Sequence, residues 1–117
     1  MLFNTEIQTI FTGFKVNNVV IPVSYLFYEG HEDAYIVYSQ VDTKNSYSGD
    51  DEILGVVPLY DFDIYSKGNY IAIANAVKEL LKNNNWTWQP NRDSPDLYDV
   101  DTGYYHKTFC FAKQLQI

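Results

Sequence analysis

Asp61 and Asp63, one residue apart in the strand-like run Leu59-Tyr60-Asp61-Phe62-Asp63-Ile64-Tyr65, come nearest to a reactive constellation in this chain. On a strand, residues i and i+2 share a face about 6.5–7 Å apart, a separation that two-carboxylate chemistry can use. Such a pair works only where a pocket drives the two acidities apart. The neighbouring sequence gives no sign of one, so an exposed or interface strand face is the simpler reading. His31 falls in a turn-like stretch and His106 in a β-rich run, with neither H-E-x-x-H nor paired cysteines beside them, so no metal is expected. Asp99-Val100-Asp101-Thr102-Gly103 starts like a calcium loop, but its glycine comes one position early and no glutamate stands at the twelfth place. That leaves an acidic surface loop.

Other nucleophile and phosphate signatures are missing: serines occur without G-x-S-x-G, and glycines without G-x-G-x-x-G or G-x-x-x-x-G-K-[ST]. Cys110, the single cysteine, cannot form an internal disulfide and reads as a small strand residue between Phe109 and Phe111. Trp86 and Trp88 alternate beside a helical segment, as core or interface anchors do, although the same pair could wall a ligand cleft. The expectation is therefore a protein that is not an enzyme and carries no cofactor.

These residues are positioned by one domain spanning residues 1–117, because 117 residues with 46% hydrophobic content suffice for one core and exceed what a disordered chain carries. Eight basic against 15 acidic residues give a formal charge of -7, the wrong sign for gripping phosphate backbones. The same charge suits a wall past which DNA slides. No run reaches the roughly 18 apolar residues of a membrane span, and no basic-then-apolar start marks a signal peptide, so synthesis and use in the cytoplasm are expected.

Phe3, Ile7, Ile10, Phe11 and Phe14 lie on one helical stripe, with Gly13 as its stop. Residues 19–28 and 34–41, β-branched and aromatic around a turn at 29–33, predict an antiparallel hairpin. Residues 42–55 are polar and aperiodic and predict a long loop. In residues 56–65 Tyr60, Phe62 and Ile64 face one way, and Leu59, Asp61, Asp63 and Tyr65 the other. Ile73, Ala74, Val77, Leu80 and Leu81 mark a second helix, capped among residues 66–69 and stopped at Asn83-Asn84-Asn85. A short extended piece at 86–90, a loop at 91–103 and a strand over 104–115 complete the chain. The fold class is α+β, in the order α-β-β-β-α-β: a four-stranded, mostly antiparallel sheet with two helices packed on one face. Tyr60, Phe62, Ile64, Ile73, Val77, Leu80 and Phe109 are its expected core. The other face, with Asp61, Asp63 and Tyr65, is too polar for a second core layer and aromatic enough for a partner.

The segments Gly49-Asp50-Asp51-Glu52, Tyr60-Asp61-Phe62-Asp63-Ile64-Tyr65-Ser66-Lys67-Gly68-Asn69, Trp88-Gln89-Pro90 and Gly103-Tyr104-Tyr105-His106-Lys107-Thr108 carry a joint resemblance. Over residues 20–112 the chain resembles the small tail-completion proteins, also called tail-terminator or head–tail joining proteins, of long-tailed phages and Gram-positive prophages. The resemblance implies a non-enzymatic virion component assembled in the host cytoplasm. It would form a ring, commonly of six subunits, that caps the tail tube and docks to the head connector. It implies subunit contacts at Asp61, Asp63, Tyr65, Tyr104, Tyr105 and His106, and a contact to the tail-tube protein through the 42–55 loop with Asp50, Asp51 and Glu52. The implied partners are copies of itself, the tail-tube protein and the head-completion protein, with DNA passing through the lumen unbound and no membrane. A second reading is a small bacterial ligand-binding domain or minor enzyme using the Asp61/Asp63 face and the tryptophans.

Overall fold

The computed structural model describes the backbone of residues 3–47 and 53–113 and the side chains of residues 3–41 and 57–113. Helix α1, Asn4–Ile10, turns Ile7 and Phe11 into the core, and Gly13 (φ 68°) ends its turn as expected. Two strands of two residues follow, β1 (Lys15–Val16) and β2 (Val19–Val20), joined by Asn17 (φ 52°) and Asn18 (φ 66°). Both linking residues are left-handed, the geometry of a tight two-residue hairpin turn, and asparagine tolerates it better than most residues.

The antiparallel hairpin expected of 19–28 with 34–41 does not form. Strand β3, Val23–Tyr25, lies parallel to β4, Ala34–Tyr47, with Val23 opposite Ile36 and Tyr25 opposite Tyr38. The cause is local: Leu26 turns the chain in the left-handed region (φ 71°), and residues 27–33 return alongside, with Tyr28 stacked on Tyr35. At Gly30 a Cβ would lie 2.1 Å from the Tyr28 hydroxyl oxygen, so a larger residue there would have to displace the Tyr28 ring.

Strand β5, Ile53–Ser66, runs antiparallel to β4 along its whole length, with a bulge where Val41 is the extra residue. The loop expected at 42–55 is therefore mostly strand: 42–47 and 53–55 are paired, and 48–52 lie outside the described residues. A ribbon that leaves the body of the sheet has no core to face, so its pairing leaves no hydrophobic period to read. Among the described residues, 42–47 and 53–58 pair only with each other, and the molecule measures 51 × 27 × 22 Å.

Helix α2, Ile71–Lys82, starts where the Ile71 N–H donates to Asn69 Oδ1 at 2.9 Å and ends before Asn85 (φ 68°), as expected. Strand β8, Tyr105–Lys113, then pairs antiparallel with β5, Tyr65 opposite His106 and Asp61 opposite Cys110. Its outer edge is filled in pieces: β6 (Trp86–Trp88) at one end, β7 (Leu97–Tyr98) at the other, and the Ser94 and Asp93 side chains accepting the Thr108 and Cys110 N–H groups between them. The fold is α+β with two helices on one face. It has a six-stranded sheet, ordered β3-β4-β5-β8-β6 with β7 also on β8, and a separate two-stranded one, in place of the single four-stranded sheet expected.

Tyr60, Phe62, Ile64, Ile73, Val77 and Phe109 are buried in one cluster with Ile36, Tyr38, Phe111, Leu81 and Trp86; Leu80 only packs against its margin. Tyr60 donates its hydroxyl to Asn4 Oδ1 at 3.0 Å, and Gln8 Nε2 donates to the Tyr38 hydroxyl at 2.8 Å, so α1 is fastened to the sheet by the polar tips of core tyrosines. No helix of the described residues is long and apolar enough to cross a membrane.

Candidate functional site

The sheet face away from the helices is built in rows, because residues opposite one another on β4, β5 and β8 present side chains to the same side. Its first row is aromatic. Tyr35, Tyr65 and His106 are register partners with ring centroids 4.7 Å and 4.2 Å apart and planes within 14° and 8° of parallel. Tyr28 extends the stack at 4.5 Å from Tyr35, and Tyr104 meets Tyr35 edge-on at 5.4 Å while donating its hydroxyl to the Glu32 carbonyl at 2.6 Å. Tyr35, Tyr65, Tyr104 and His106, with residues 97–99 and Thr102, bound a cavity of about 350 Å³. Burial raises the pKa of the Tyr35 and Tyr65 hydroxyls, with Tyr104 adding to the first and Asp63 to the second, so both stay neutral.

The second row is Val37, Asp63 and Thr108. Thr108 Oγ1 donates to Asp63 Oδ1 at 2.5 Å, while His106 Nε2 stands 3.4 Å from that hydroxyl oxygen and 3.7 Å from the same carboxylate oxygen. A base-activated nucleophile requires the hydroxyl to give its proton to the imidazole, which the carboxylate then orients. Here the hydroxyl donates to the carboxylate and meets the imidazole nitrogen only at 3.4 Å, so the trio ties β5 to β8.

Ser39, Asp61 and Cys110 form the third row. Burial pushes the Asp61 carboxyl above its usual range, Asp63 adds to this, and the Cys110 hydrogen bond and Arg92 oppose it. Cys110 is fully buried, and burial drives its thiol up to about 11, far from the thiolate a nucleophile needs. Beyond it Leu59, Ala112 and Cys110 make a small second apolar cluster, so this face is less polar than expected at one end.

The raised Asp61 pKa makes the carboxyl a weaker acid in the folded chain. Folded chains hold that proton more tightly than unfolded ones, so the stability contributed by the protonated acid is complete below the ordinary carboxylate range and is lost as pH rises through the raised value. Asp61→Asn, which keeps the neutral form at every pH, should therefore melt higher than the parent at pH 7, with the gap closing on acidification. A lower melting temperature for the variant at pH 7 would show that attraction to Arg92 outweighs desolvation.

Five of the six expected contact residues, Asp61, Asp63, Tyr65, Tyr104 and His106, share this face. Tyr105 does not: strand alternation sends it to the opposite side, where its ring lies 4.7 Å from Tyr98. Asp50, Asp51 and Glu52 lie outside the described residues, and His31 sits in the exposed return after Tyr28. Trp86 is a core residue, whereas Trp88 is 39% exposed, ties its N–H to Asp93 and carries the Lys78 ammonium 3.8 Å over its ring. Reading the sequence missed Tyr28, Tyr35 and Thr108; period-two spacing in 34–41 places Tyr35 on a strand face, but nothing local pairs it with Tyr65. Among the described residues no three or more His, Cys, Asp or Glu side chains gather as a metal would require. The chain matches no protein-family model and no curated protein sequence.

Proposed function

We propose that this protein is a structural component of a phage or prophage tail. Its copies join into a ring, commonly of six, that caps the tail tube and docks to the head connector. The observation that supports this best is the half-exposed aromatic row Tyr35–Tyr65–His106 with Tyr104: surface of this composition, depleted in charge at its centre and rimmed by carboxylates, suits a protein interface better than bulk water. The paired ribbon of 42–47 and 53–58, about 20 Å long at ordinary strand rise, flanks Asp50, Asp51 and Glu52 in sequence, the segment assigned here to the tail-tube protein. A formal charge of -7 per subunit keeps the lumen from holding DNA as it passes. The ligand-cleft alternative finds less support, because Asp63 is engaged by Thr108 and Asp61 lies against Cys110 and Arg92.

Electron microscopy and mass measurement of the purified protein, alone and mixed with tail tubes, test the proposal. Rings on one end of each tube are expected, with capsid, connector and tube genes beside this one. A protein that stays strictly monomeric on mature tails would remove the ring.

A further inference from the structure

The cavity beside the aromatic row is lined by hydroxyls that the fold itself does not use. Tyr35 is stacked between Tyr28 and Tyr65, and Tyr65 between Tyr35 and His106, so both rings have covered faces and reach the cavity of about 350 Å³ with their edges. Neither hydroxyl has a hydrogen-bond partner among the described residues, in contrast to Tyr104, which donates to the Glu32 carbonyl at 2.6 Å. Neither is sealed off, since the buried side-chain polar atom that lacks a partner among these residues is Trp86 Nε1. Stacking alone would be served by phenylalanine. Two neutral phenol oxygens on a cavity wall suit a ligand that donates hydrogen bonds.

The turn before β8 supplies another wall. Asp99 accepts the Asp101 N–H on Oδ1 at 2.9 Å and has no hydrogen bond to Oδ2 among the described residues. Leu97, the register partner of His106 and 46% exposed, closes the end of the row. Asp99 is the one carboxylate of this lining, which has no lysine or arginine. Nearby, the Lys67 ammonium stands 5.1 Å over the Tyr104 ring, so the chain already rests a cation of its own on this aromatic group. A formal charge of -7 draws further cations toward the surface and repels anions.

We infer that the cavity binds a guanidinium group, its N–H fork on Asp99 and on the Tyr35 and Tyr65 oxygens and its alkyl stem against Leu97. A guanidinium matches this lining because it carries five donors in one plane, has no acceptor, and is less tightly hydrated than an ammonium. The space falls within the range of small-ligand sites, roughly 300–1,000 Å³. Arg92, the single arginine of the chain, lies against Cys110 and Asp61, so the group comes from elsewhere, on a free molecule or on the side chain of another protein. The inference rests on the cavity and holds for a monomer as for a ring.

Calorimetric titration of the full chain with butylguanidinium tests this, with butylurea, an uncharged molecule of nearly the same shape, as control. The cation should bind saturably and about tenfold or more tighter than the urea, because hydrogen bonds to charged groups are the stronger kind. Asp99→Asn retains the acceptor for the Asp101 N–H and should weaken the cation about tenfold. Tyr35→Phe and Tyr65→Phe remove hydroxyls that the fold leaves unused, so each should weaken binding several-fold with the melting temperature at the parent value. Blocked arginine amide decides the source: its binding admits the side chain of another protein, and its exclusion leaves a free alkylguanidine. No saturable binding, equal affinity for butylguanidinium and butylurea, or an affinity unchanged in Asp99→Asn overturns the inference, whether or not the protein forms rings.

Discussion

Phe62→Ala is expected to lose about 3–5 kcal/mol of folding stability, the cost of emptying a packed aromatic site. Phe62 has no exposed surface, and its ring meets three others: Phe11 of the α1 end at 5.9 Å, Tyr38 of β4 at 5.8 Å and Phe111 of β8 at 5.6 Å. It is where the N-terminal helix, the central strand and the last strand converge, so the cavity cannot be filled by moving one element. Domains of this size hold only about 5–15 kcal/mol in total, and the variant should be partly unfolded at 37 °C. Urea unfolding followed by tryptophan fluorescence measures the loss. Phe62→Leu, which keeps most of the volume, should cost much less, and an alanine variant losing under about 1 kcal/mol would mean that the ring is not enclosed as described.

Removing the aromatic row should do the reverse, sparing the fold and abolishing assembly. In Tyr65→Ala/His106→Ala the lost stacks lie on the face opposite the helices, where each aromatic pair contributes about 0.5–1.5 kcal/mol beyond its area. The melting temperature should fall by some degrees with a cooperative transition preserved. At an interface, by contrast, buried aromatic anchors commonly cost about 2 kcal/mol or more each on truncation, enough to shift a ring to monomers at working concentrations. Sedimentation and melting of the same samples separate the two effects. Rings that persist in a destabilised variant would assign the row to intramolecular packing alone.

The central strand was legible because one of its faces is wholly buried: Tyr60, Phe62 and Ile64 stand at strict period two, and the same period put Asp61, Asp63 and Tyr65 together on the other face. Helix α2 was legible from its apolar stripe and from the asparagines that stop it. What stayed hidden depends on partners far along the chain. Strand β6 was legible as an extended piece at 86–90, but its pairing, and strand β7 altogether, answer the need of the outer edge of β8 for hydrogen bonds, a demand that a three- or two-residue segment does not announce. The parallel placement of β3 hangs on one backbone angle at Leu26, a residue type that rarely takes it. The β1–β2 hairpin did have a signal, the Asn17-Asn18 pair between two apolar-ended dipeptides. The placement of Tyr105 away from Tyr104 and His106 was likewise available from alternation. The aromatic row was only half available, since register joins Tyr35 to Tyr65 and no local pattern encodes that.

The position of β8 at the far end of the chain also bears on how the protein emerges from the ribosome. Strand β5 is complete when Ser66 appears, yet the strand that covers its second edge is made only after residues 67–104, roughly 2–8 s later at ordinary elongation rates of about 5–20 residues per second. Throughout that interval Leu59 to Tyr65, a run of aromatic and branched residues, offers an unpaired edge to any other nascent chain. Asp61 and Asp63 interrupt that run at every second position, placing two negative charges where intermolecular strand pairing would bring like charges face to face. The carboxylates that share a sheet face with the aromatic row thus also guard the open edge of β5 until β8 arrives.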